Sequence, residues 1–152
     1  MKFYIIHGPN INLLGLREPT IYGKENYEAL VQFIKNQCDA KQIESVFFQS
    51  NHEGDLVDYI QAAYGDADGI IINPAAYTHT SVAILDALKA VGLPAVEVHL
   101  SNIYERESFR HHSYAGMACI KTYYGMGFDG YKEAIAYLND YIKGQNTKKS
   151  ET

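Results

Sequence analysis

Five short apolar runs of strand type, at 3–6, 43–48, 69–72, 95–98 and 118–123, are each followed by turn residues and then by a helical pattern. Strand and helix alternating in this way predict a parallel sheet covered by helices on both faces. Five units cannot close an eight-stranded barrel, so the expected fold is a flavodoxin-like, doubly wound, five-stranded parallel α/β sheet. Local signals mark the helices. Asn26 is a good N-cap, with Glu28 in the first turn and Leu30, Phe33 and Ile34 at helical spacing. Leu56, Val57, Ile60, Ala63 and Tyr64 give a second helix that Gly65 stops, and a third spans about 81–91, closed by Gly92 and Pro94. A last helix follows Phe128 and carries Tyr131, Ile135, Leu138 and Ile142, while 103–109 reads as a helical turn or two. One domain is therefore expected over 1–142, with 143–152 a polar, disordered tail.

Composition narrows the partners. A chain of 152 residues buries enough surface to hold a core without disulfides or metal. Cys38 and Cys119 are far apart and form no Cys-x-x-Cys pair, which suits a reducing compartment and argues against structural zinc. With 13 basic and 18 acidic residues, net charge −5, nothing draws the surface to nucleic acid or to an anionic membrane. The apolar run near the N-terminus is too short for a signal sequence, and no stretch reaches the roughly 18 apolar residues of a membrane span. A cytoplasmic location and a small-molecule partner are the expectation.

Ligands of open parallel sheets bind beyond the carboxyl ends of the strands, near the point where strand order reverses. That edge is loaded with polar residues here: His7 to Asn12, Gln49 to Gly54, Asn73 to Ser81 and Glu97 to Asn102. Ser50, Asn51, Thr80 and Ser81 read first as caps and turn formers. His79, Glu97 and His99 are harder to explain as structure alone. Residues 97 and 99 share one side of a strand, so a carboxylate and an imidazole can meet there and orient a general acid or base. A structural His at a loop is the competing explanation for His99.

The connection over 8–25 is much longer than the usual strand-to-helix link and reads as a lid. It carries Arg17 and Tyr22. Tyr22 serves either as a packing anchor or as a base: a phenol has a pKa near 10, and an adjacent cation lowers it by roughly 1–3 units.

Other signals lead elsewhere. Gly125-Met126-Gly127-Phe128-Asp129-Gly130 matches the dinucleotide fingerprint, but no further strand or acidic ribose partner follows, so a tight turn against neighbouring chain is expected. The first strand ends in His-Gly-Pro-Asn, which lacks the acidic pair of a Mg²⁺ pocket. His79, Glu97 and His99 fit no metal-ligand spacing, so neither metal nor cofactor is expected.

Five blocks carry a family resemblance. They are Gly8-Pro9-Asn10-Ile11-Asn12-Leu13-Leu14-Gly15; Arg17-Glu18-Pro19 with Tyr22-Gly23; Gln49-Ser50-Asn51-His52-Glu53-Gly54; Asn73-Pro74-Ala75-Ala76-Tyr77-Thr78-His79-Thr80-Ser81; and Glu97-Val98-His99-Leu100-Ser101-Asn102 with Arg106-Glu107 and Phe109-Arg110. In order and in content they resemble the type II 3-dehydroquinate dehydratases. The resemblance implies a flavodoxin-like subunit, assembly as a dodecamer of trimers, and cofactor-free, reversible dehydration of 3-dehydroquinate to 3-dehydroshikimate, a reaction of aromatic biosynthesis and of quinate breakdown. It implies Tyr22 as the base, with Arg17 lowering its pKa, and Asn12 holding a water against the enolate oxygen. His99, supported by Glu97, then protonates the departing hydroxyl in a stepwise anti elimination. Asn73, His79 and Arg110 are implied to bind substrate hydroxyls, the amides of Leu100 and Ser101 its carboxylate, and Asp86 to reach a neighbouring subunit's site.

The last strand departs from the family's small, apolar run. Lys121 stands where a core or subunit-contact residue is expected, which bears on assembly more than on chemistry. Two other classes compete: a binding module without catalysis, and a metal-dependent hydrolase or lyase built on His79, Glu97 and His99.

Overall fold

The computed structural model describes residues 1–16 and 25–151. Its five strands are β1 (Lys2–His7), β2 (Glu44–Gln49), β3 (Gly69–Asn73), β4 (Ala95–His99) and β5 (Lys121–Tyr124). They pair in parallel throughout, in the order β2-β1-β3-β4-β5. That is the flavodoxin-like order expected from the alternation, and it puts the reversal of strand order between β1 and β3.

Among the described residues four α-helices cover the sheet: α1 (Tyr27–Ala40), α2 (Glu53–Ala63), α3 (Val82–Val91) and α4 (Asp129–Ser150). The two-residue period of the strands sorts the core into two layers. Phe3, Ile5, Ile71, Val96 and Val98 face Leu30 and Ile34 of α1 and Tyr131, Ile135 and Leu138 of α4. Tyr4, Ile6, Ile70, Ile72 and Ala95 face Leu56 and Ile60 of α2 and Ile84 and Leu88 of α3. Caps set the helix ends where the sequence signals place them. Asn26 Oδ1 accepts the Ala29 N–H at 2.8 Å, Ser81 Oγ accepts the Ile84 N–H at 3.0 Å, and Gly92 closes α3 with φ 67°.

Two elements differ from the sequence expectation. Residues 115–118 form a 3-10 turn, so β5 begins at Lys121 rather than at Ala118. Buried Ala115 fixes that turn against the α2/α3 layer, and Lys121 then lies exposed on an edge strand, its ammonium 5.6 Å from the Tyr123 ring centroid. An edge Lys blocks pairing with a further strand, which gives this polar strand a physical use. Beyond the expected domain end at 142, α4 runs on through Ser150. Its packed first half supplies the costly helical nucleus, each added residue is cheap to propagate, and Lys148 and Lys149 suit the negative end of the helix dipole.

The switch point is tightly drawn. Gly8 N–H donates to Asn73 O at 2.8 Å, and a Cβ on Gly8 would stand 2.3 Å from the Pro74 carbonyl oxygen. Only glycine lets the loops after β1 and β3 approach this closely.

Candidate active site

Glu97 and His99 occupy the last positions of β4 on its α2/α3 side, both buried. His99 Nε2 lies 3.0 Å from Glu97 Oε2, the juxtaposition their spacing along a strand predicts. It is a close contact rather than a well-directed hydrogen bond, and an ion pair only when His99 is protonated. Hydroxyls already crowd the carboxylate. Oε2 accepts from Thr78 at 2.6 Å and from Ser113, and Oε1 accepts from Thr122 at 3.0 Å. Burial alone would raise the pKa of Glu97. The neighbouring His99, Ser113 and Thr78 outweigh it and hold the carboxyl at about 2, so a buried negative charge faces the imidazole.

Sequence reasoning missed the three hydroxyl donors. Thr122 was accessible in principle, since it sits opposite Glu97 in the β4–β5 register. Thr78 stands in a short 3-10 turn (Ala75–His79) and Ser113 in irregular chain, where no strand or helix periodicity exposes them. Gly116 completes the pocket: its N–H donates to Ser113 Oγ at 3.0 Å, and a Cβ there would lie 2.9 Å from Glu97 Oε1.

Asn12 is exposed in a 3-10 turn after β1, and Gln49 Nε2 at the end of β2 donates to its Oδ1 at 3.3 Å and to Gly8 O at 3.2 Å. Asn51 Oδ1 receives the Asn10 N–H at 3.0 Å, and Tyr77 Oη donates to Asn51 O at 2.9 Å. The loops after β1, β2 and β3 are thus cross-tied at one edge. Asn73 ends β3, buried, with Oδ1 accepting the Ala75 N–H at 3.1 Å. His79 follows on the same loop and donates from Nδ1 to His112 O at 2.8 Å, which leaves Nε2 as an acceptor.

The chain after β4 carries the remaining groups. The Leu100 and Ser101 carbonyls accept from the N–H groups of Gly127 and Gly125, both at 3.1 Å, and Gly125 holds φ +73° against Asn102. The dinucleotide-like glycines are therefore a turn packed on the β4 loop. Arg110 Nε pairs with Glu107 Oε2 at 2.7 Å, and that pairing, after a backbone hydrogen bond, holds the Glu107 carboxyl below its usual range. A cleft of about 1180 Å³ opens beside Leu100 and Ser101, with Asn10, Leu13, Leu14 and Arg106 also on its wall. Arg106 was quoted in the sequence blocks without a role.

Asp86 stands apart. It is exposed on α3, with no hydrogen bond or ion pair among the described residues. Arg17 and Tyr22, the residues of the expected lid chemistry, lie outside the described residues. Among the described residues, His79, Glu97 and His99 do not gather into a ligand group for a metal ion, and no helix is long and apolar enough to cross a membrane.

Residues 1–139 match the family model Dehydroquinase class II. The 3-dehydroquinate dehydratase of Carboxydothermus hydrogenoformans is 50% identical over 143 residues, covering 94% of this chain and 93% of that protein. The protein of the same name from a Sulfurovum species is 54% identical over 142 residues, covering 93% and 88%. The crystal structure of the type II dehydroquinase from Butyrivibrio crossotus superposes with a TM-score of 0.86 at 52% identity, covering 91% of this chain and 97% of that one. With family, order of strands and polar edge in agreement, the chain belongs to the class II dehydroquinases.

Proposed function

We propose that this chain catalyses the reversible dehydration of 3-dehydroquinate to 3-dehydroshikimate without a cofactor. The observation that carries this reading is the buried Glu97–His99 pair at the carboxyl end of β4, with the carboxylate ionised and braced by three hydroxyls. The Glu97 carboxylate fixes the His99 ring at the end of β4, which suits His99 to deliver a proton to a departing hydroxyl.

Elimination begins when Tyr22, as phenolate, removes a proton from the carbon beside the substrate ketone. Arg17 lowers the Tyr22 pKa and offsets the charge that develops. The electron pair moves onto the ketone oxygen as an enolate, stabilised through a water held by Asn12. The enolate then collapses, the tertiary C–O bond breaks on the opposite face, and His99 protonates the leaving oxygen to give water. Asn73, His79 and Arg110 bind substrate hydroxyls, and the amides of Leu100 and Ser101 receive its carboxylate. Asp86, unpartnered among the described residues, reaches a neighbouring site in a dodecamer of trimers. The chain works in the cytoplasm, in aromatic biosynthesis or quinate breakdown.

Turnover of 3-dehydroquinate by Tyr22→Phe and Arg17→Ala tests the assignment. Each is expected to lower kcat by ~10²-fold or more with folding intact. A near-normal kcat in either variant removes that residue from its role.

A further inference from the structure

A second buried polar cluster lies on the α1/α4 side of the sheet, and no step of the proposed reaction uses it. His7, fully buried at the end of β1, has Nδ1 3.1 Å from Tyr27 Oη and Nε2 3.0 Å from Tyr131 Oη. Tyr131 Oη in turn lies 3.4 Å from Asn73 Nδ2.

Asn73 decides the direction of this chain. Its Oδ1 is engaged by the Ala75 N–H at 3.1 Å, so the atom facing Tyr131 is the amide nitrogen, which only donates. Ala75 holds φ 54°, a left-handed conformation that its Cβ disfavours, and the bond from Asn73 helps to keep it there. Turning the amide over would release that bond. Tyr131 Oη is therefore an acceptor toward Asn73. Its own proton has one other neighbour among the described residues, His7 Nε2. If Nε2 carried hydrogen, Tyr131 would receive two donors and its buried proton would meet no acceptor, which folded proteins avoid. Tyr131 must donate to Nε2, and the His7 hydrogen must sit on Nδ1, donating to Tyr27. Burial favours the neutral ring this requires, pushing His7 down to about 3. Tyr27 and Tyr131 meet the imidazole edge-on, at 5.5 and 5.6 Å between centroids, which holds its plane.

We propose that His7 is a positioning residue: as the neutral Nδ1–H tautomer its Nε2 accepts the hydrogen bond of the Tyr131 hydroxyl, which keeps Tyr131 Oη as the acceptor that pins one N–H of Asn73 and leaves the other for a substrate hydroxyl. The last clause rests on the reading of Asn73 as a substrate-binding group.

Two measurements test it. Nitrogen-15 NMR of the histidine-labelled wild-type chain is expected to show His7 as the Nδ1–H tautomer, unchanged from neutral pH down to about 5. An Nε2–H tautomer, or titration at the ordinary imidazole value, overturns the proposal. In kinetics, His7→Gln keeps an acceptor for Tyr131 and should hold KM within ~2-fold, whereas His7→Leu removes it and should raise KM by ~5- to 10-fold with a smaller change in kcat. Equal KM in the two variants, both folded, contradicts positioning. If His7→Leu does not fold, Tyr131→Phe takes its place with the same expected rise. A wild-type chain inactive on 3-dehydroquinate would overturn the functional reading, and the tautomer would still decide for or against His7.

Discussion

His99 Nε2 sits 3.0 Å from an oxygen of Glu97 that Thr78 and Ser113 already hydrogen-bond, so the imidazole meets a carboxylate that cannot turn away from it. The pair is a fixed charge beside a titratable ring. Glu97→Gln removes the charge and keeps the shape. The expected outcome is a kcat lower by ~10²-fold with KM nearly unchanged, because a proton donor that has lost its counter-charge affects the reacting state more than binding. Steady-state kinetics on the folded variant check this, and an unchanged kcat would detach Glu97 from the chemistry.

Gly116→Ala should reach the same pair from outside the substrate site. The new Cβ would stand 2.9 Å from Glu97 Oε1, so the carboxylate must shift from Thr122 and from its place beside His99. A kcat reduced by ~10-fold is expected, with KM changed less, since sub-ångström displacement of a reacting group is enough to cost rate. A wild-type kcat would show that the carboxylate tolerates displacement.

Much of this architecture was legible in the sequence, for identifiable reasons. Continuous apolar runs alternating with helices capped at Asn26 and Ser81 specify the layers, and the parity of 97 and 99 brings their side chains together. What escaped is held by contacts between elements far apart in the chain. Ser113 is 16 residues from Glu97 and Tyr131 is 124 from His7, and neither separation leaves a periodic trace. His7 reads only as the first polar residue beyond the apolar run 3–6 until its two tyrosines are seen. The start of β5 was misplaced because Ala118 to Ile120 are apolar enough for a strand, while the chain uses them to leave a 3-10 turn.

Acid should destabilise the fold in two stages. The folded pKa of His7 is lowered to about 3, so the unfolded chain takes up a proton there that the folded chain refuses. Its contribution is intact above about 6.5 and is lost as pH falls from there toward 3, with a slope of at most ~1.4 kcal/mol per pH unit. Glu97, lowered from 4.5 to about 2, is stabilising above 4.5 and loses that contribution below it. His7→Gln should flatten the first stage and leave the second. Denaturant midpoints measured against pH check this; an unaltered slope between pH 6.5 and 4.5 would contradict the assignment.

Gly144 lies exposed within α4, and a Cβ there would touch nothing within 4 Å. Because α4 runs to Ser150, Gly144→Ala should stabilise the chain by about 0.5–1 kcal/mol, raising Tm by ~1–4 °C. No gain in Tm would contradict a helical conformation at Gly144.

The functional account stands on one assay. Purified wild-type chain mixed with 3-dehydroquinate in the presence of EDTA should produce the ultraviolet absorbance of the enone in 3-dehydroshikimate, at a rate proportional to protein. Folded protein that gives no rise, or a rise that EDTA abolishes, would contradict it.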